Sequence, residues 1–108
     1  MEVITTIQEI VEPIFKKSIE VYGKEAQSRQ AMEECAELIQ AINKCLRYPN
    51  KEECKNNLIE EICDVEIMLF QLKEMFGITN DAVESYKLLK AKREKERLEK
   101  LNDSTRNV

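Results

Sequence analysis

The sequence predicts an all-α protein, a four- to five-helix bundle built around a central antiparallel pair. Three observations carry that expectation. Only two glycines and two prolines occur in 108 residues, so the turn chemistry of a many-stranded fold is missing. Good helix formers dominate, with 35% of residues charged and few aromatics. Apolar residues recur at alternating spacings of three and four over long stretches, which is the period of one helix face.

The first helix is expected from Ile4 to Tyr22, with Ile7, Val11, Ile14 and Val21 on its apolar stripe. Pro13 must either kink it or open a second helix as its first residue, because the ring fixes φ and removes a donor. Gly23 ends it. A second helix is expected from Lys24 to Leu46, with Met32, Cys35, Ile39, Ile42 and Leu46 turned to a core. "RYPNKEE" breaks the chain through Pro49 and Asn50. A third helix follows from Lys51 to Phe76, its stripe being Leu58, Ile62, Val65, Leu69, Leu72 and Phe76, and Gly77 closes it. Thr79 or Asn80 is the N-cap of a fourth helix with apolar positions Val83, Tyr86, Leu89 and Leu98. Residues 1–100 then form one domain, and "LNDSTRNV", residues 101–108, a flexible tail. Short connections make neighbouring helices antiparallel.

A net charge of -4 argues against binding a nucleic-acid polymer or an anionic membrane surface. Residues 87–100, "KLLKAKREKERLEK", run the other way, with seven bases and three acids for a local +4. A solvated helix with i,i+4 ion pairs accounts for that segment more simply than a phosphate-facing patch. Cys35, Cys45, Cys54 and Cys63 form no C-x-x-C pair, which speaks against zinc, and three of them sit among apolar helix positions. The opening "MEVITTIQEI" lacks the basic start of a signal peptide, so the expected setting is a reducing cytoplasm. The longest apolar run, around residues 62–72, contains Asp64 and Glu66 and is too short to span a membrane.

Acids intrude on the two most apolar helices. Glu34 and Glu37 are three apart on the second helix and share a face, and Glu61 and Asp64 repeat the arrangement on the third. The first line continues to Ala41 and the second to Met68 and Met75, so these acids border the core. If the helices pack antiparallel, the four side chains converge, and they cannot all stay ionised in a partly dry site unless a cation neutralises them. Oxygen ligands without histidine suit magnesium or manganese. On the residues alone a polar rim competes evenly with a metal site, since E-x-x-E also occurs on solvated faces.

The pair E-x-x-E at Glu34 and Glu37 and E-x-x-D at Glu61 and Asp64, separated by 23 residues, resembles the signature of the MazG-like proteins of the all-α NTP pyrophosphatase superfamily. "EECAELIQAINK" and "EEICDVEIMLFQL" resemble the two central helices of that family, and a weaker likeness extends from Ile7 to Leu98. The resemblance implies a magnesium-dependent nucleoside triphosphate pyrophosphohydrolase that yields the monophosphate and pyrophosphate. Glu34, Glu37, Glu61 and Asp64 would be the metal ligands, with manganese a possible substitute. Glu33 and Glu60 would orient or deprotonate the attacking water. Lys44, two turns beyond Glu37 on the same face, and Lys87, Lys90 and Arg93 of the fourth helix would meet the phosphates. An asparagine that the family often carries near that lysine is missing, since Ala91 and Lys92 stand there. Gln27 and Tyr22 are candidates to line the base pocket. The wide apolar faces imply a homodimer or homotetramer. Two other outcomes compete: a dUTPase-like or phosphoribosyl-ATP pyrophosphatase-like member of the superfamily, or a non-enzymatic helical interaction module.

Overall fold

The structure, a computed structural model, describes residues 6–106, the side chains of 104–106 excepted. It is all-helical among the described residues: α1 (Ile7–Tyr22), α2 (Lys24–Arg47), α3 (Glu52–Phe76) and α4 (Asn80–Arg106). Helices α1 to α3 form one compact unit ending at Gly77, and the chain from Ile78 onward forms a second. No described helix is long and apolar enough to cross a membrane.

Helix α1 begins at Ile7, the first residue of the apolar stripe, with Thr6 as its cap. The Glu9 amide donates to Thr6 Oγ1 (3.1 Å) and the Thr6 amide to Glu9 Oε2 (3.3 Å), a reciprocal capping box written in the sequence as T-x-x-E. The expected start at Ile4 lies outside the described residues. Pro13 stays inside one continuous helix and opens no second one. Gly23 at φ 92°, ψ 158° is the whole connection between α1 and α2, donating to the Ile19 carbonyl (2.8 Å) and accepting from the Gln27 amide (3.1 Å). Side chains avoid that backbone region, which is why the junction holds a glycine. Gly77, in the left-handed conformation, ends α3. Thr79 caps α4 by accepting from the Ala82 amide at 3.1 Å.

Packing is dominated by α2 against α3, with α1 laid against both. Their register is antiparallel: Gln27 meets Gln71, Glu37 meets Glu61, Glu34 meets Asp64, and Cys45 meets Cys54. The α2 face in this seam is Gln27, Ala31, Glu34, Leu38, Ala41 and Cys45, all buried or half-buried. Facing it on α3 are Cys54, Leu58, Glu61, Asp64, Met68, Gln71 and Met75. This corrects the stripe expected on α2. Met32, Ile39 and Leu46 are 63%, 67% and 77% exposed, whereas Ala41 is 1% exposed. Small side chains let two helices approach closely, so the seam follows the alanines, one residue away from the larger apolar row. On α3, Leu58, Val65 and Leu72 are half-buried as expected, but Ile62, Leu69 and Phe76 are exposed. On α1, Val11 points inward with Phe15 and Ile19, while Ile7, Ile14 and Val21 are exposed.

One polar thread crosses this unit. Gln71, 1% exposed, donates to the Phe15 carbonyl of α1 (3.0 Å) and accepts from Gln27 Nε2 of α2 (2.8 Å). All three helices are thereby fixed at one level, and the two amides satisfy each other where water is excluded. At the same end, Lys24 Nζ sits 4.2 Å from the centre of the Phe76 ring, joining the start of α2 to the end of α3.

In the second unit, α4 continues through Arg106 where a tail was expected. No glycine or proline interrupts residues 80–106, so nothing stops the helix. Its surface carries i,i+3 ion pairs, Lys87–Glu84 and Arg97–Glu94, both 3.1 Å. Tyr86, Leu89 and Leu98 are exposed.

Candidate metal centre

Three acids meet in the α2–α3 seam. One carboxylate oxygen from each of Glu34, Glu61 and Asp64 lies within 4.8 Å of the others, and all three residues are half-buried. The i,i+3 spacing on α3 puts Glu61 and Asp64 on one face, and the antiparallel register brings Glu34 opposite them. Ala31 and Ala41, on either side of Glu34 along α2, keep the helices close enough for the acids to meet.

The seam leaves these carboxylates short of donors. Gln30 Nε2 donates to Glu34 Oε1 at 2.7 Å. Glu34 Oε2 and Glu61 Oε2 are buried and have no hydrogen-bond partner. A proton or a cation would supply what they lack, and burial together with the neighbouring charges makes Glu61 and Asp64 hold a proton more tightly. Glu61 is raised above its ordinary carboxylate value by partial desolvation first, then by the charges of Glu37, Asp64 and Glu34 and by a carboxyl hydrogen bond to Glu37. Asp64 is raised by desolvation, then by the charge of Glu34 and a hydrogen bond to it. An all-oxygen donor set with two unpartnered buried oxygens fits a hard divalent cation such as magnesium or manganese.

Glu37 is exposed and sits at the edge of the triad, close enough to Glu61 to raise it. Glu33 and Glu60 are exposed and are not drawn into the cluster. Lys44 is exposed on α2. Gln27, expected to line a substrate pocket, is buried with its amide engaged by Gln71, and Tyr22 is exposed at the end of α1. Lys87, Lys90 and Arg93 are exposed on α4, in the second unit, where Lys87 Nζ bonds Glu84. Sequence reasoning passed over Gln30 and Gln71. An i,i+4 Gln–Glu pair was there to be read for the first, and an uncharged polar residue within an apolar run for the second.

No protein-family model matches the chain, and no curated protein or solved structure matches it either.

Proposed function

We propose that the protein is a MazG-like nucleoside triphosphate pyrophosphohydrolase, cleaving between the α and β phosphates in a magnesium-dependent reaction. The observation that carries this reading is the meeting of Glu34, Glu61 and Asp64 with two buried oxygens lacking donors. Glu34, Glu61 and Asp64, with Glu37 beside them, would hold the cation. A magnesium ion held by these residues would supply charge neutralisation for the phosphates and a more acidic attacking water. Gln30 anchors Oε1 of Glu34, whose other oxygen is buried without a donor. Glu33 or Glu60, exposed beside Glu34 and Glu61, would take the water's proton, and Lys44 of the same unit would meet the phosphates. The exposed apolar row of α2 supports a homodimer or homotetramer, because a row at heptad-like spacing can pack against its own copy.

The test is product analysis over a panel of ribo- and deoxynucleoside triphosphates, including dUTP and phosphoribosyl-ATP. Pyrophosphate released only with magnesium or manganese is expected. Orthophosphate alone, or no turnover of any member, sinks the reading. The same exposed row favours one rival, a non-enzymatic oligomeric module whose acids are only polar seam residues. A magnesium titration followed by melting separates the two, since such a module has no reason to gain stability from a divalent ion at low concentration.

A further inference from the structure

We infer that Cys45 and Cys54 form a redox site, a dithiol that closes to an intramolecular disulfide across the turn between α2 and α3. The inference does not depend on what the acids bind. Both cysteines are half-buried and free, one on the last turns of α2 and the other on the first turn of α3. They face each other within one residue of the register that pairs Gln27 with Gln71 and Glu37 with Glu61. The Cys45 thiol donates to the Cys54 carbonyl oxygen at 3.1 Å. Ordinary backbone geometry then keeps the Cys54 Cα within about 5.5 Å of the Cys45 sulfur. From there, side-chain rotation and a small helix adjustment bring the sulfurs to bonding distance. Cys35 and Cys63 differ in that both are exposed.

Hydrogen peroxide is a sufficient oxidant. One thiolate of the pair attacks the peroxide oxygen, the O–O bond breaks, and a sulfenic acid and one water result. The second thiolate attacks that sulfur, the S–O bond breaks, the S–S bond forms, and a second water leaves. Two thiols lose two electrons and two protons, and hydrogen peroxide accepts them. The closed loop pins α2 to α3 at the turn, about 12 Å along α2 from Glu37 at the usual helical rise.

The test treats the full chain with hydrogen peroxide, alkylates remaining thiols and digests with trypsin. Cleavage after Lys44, Arg47, Lys51 and Lys55 isolates Cys45 in "CLR" and Cys54 in "EECK". The expected product is these two peptides joined, two hydrogens lighter than their sum, from a chain that stays unlinked to other copies. Its melting temperature should rise by roughly 5–10 °C and fall back with dithiothreitol. Cys35→Ser/Cys63→Ser should retain the cross-link and the shift; Cys45→Ser or Cys54→Ser should lose both. Recovery of Cys45 and Cys54 in alkylated form, or their linkage only to Cys35, Cys63 or a second copy, would overturn the assignment.

Discussion

Replacing Glu61 by glutamine keeps the shape of the side chain and removes its charge, which separates repulsion from ligation. In the metal-free protein Glu61 stands against three other carboxylates with one oxygen lacking a donor, so the variant should melt no lower than the parent. Magnesium should reverse the order: the parent gains stability, the variant gains little, and hydrolysis falls at least ~100-fold. Equal magnesium shifts in both proteins would remove Glu61 from the centre. The raised values of Glu61 and Asp64 also set the sign of a pH effect. The folded chain binds their protons more tightly than the unfolded chain does. Their contribution to stability is therefore fully present below the ordinary carboxylate range and is lost as pH rises through the raised folded values. Metal-free melts between pH 4 and pH 8 should show Glu61→Gln with a shallower decline toward neutral pH than the parent. Parallel curves would mean that Glu61 does not titrate differently in the folded chain.

Among the elements, the two glycine junctions look alike in sequence and differ in physics. Gly77 is left-handed, a conformation asparagine tolerates, whereas Gly23 at φ 92°, ψ 158° lies where only glycine is comfortable. Neither site is crowded, since an added Cβ would meet no atom within 4 Å, so backbone strain alone decides. Gly77→Asn should cost under ~1 kcal/mol and Gly23→Asn about 2 kcal/mol, read from urea midpoints. Equal losses would contradict the difference in backbone region. Helix existence, order and breaks were legible because composition, Gly23, Gly77 and the Pro49–Asn50 turn all agree. The packed faces were less so. Period alone pointed to Met32, Ile39 and Leu46, while Ala31 and Ala41 set the approach of the helices, a steric fact that hydrophobicity does not encode. The acids were legible as a pair of E-x-x-[ED] repeats, and three of the four meet where antiparallel packing requires. Gln27 was expected to line the base pocket; its buried pairing with Gln71 was not legible, because the partner lies 44 residues along the chain.

For the whole molecule, the exposed apolar row on α2 sets the question of assembly. Met32, Ile39, Ile42 and Leu46 project from a helix whose other side is already packed on α3. A second copy covering this row would bury side chains worth roughly 1.5–3 kcal/mol each when fully enclosed. Ile39→Asp should therefore shift sedimentation toward the monomer while leaving α2–α3 packing, and so the far-UV signal, intact. A parent protein that sediments as a monomer at micromolar concentration would contradict this assembly.

The acidic seam also limits how this protein can change over evolutionary time. Positions 34, 61 and 64 lie between helices that would grip each other better if all three were leucine or methionine, since apolar neighbours replace buried charge at little loss and often a gain. A few substitutions thus separate this chain from a sturdier helical hairpin with no carboxylates to offer a cation. Selection for robustness alone would favour that path, so a competing demand, such as the cation binding proposed above, would be needed to hold acids here. Lineages released from that demand should drift toward apolar residues at these three positions before they change the alanines beside them.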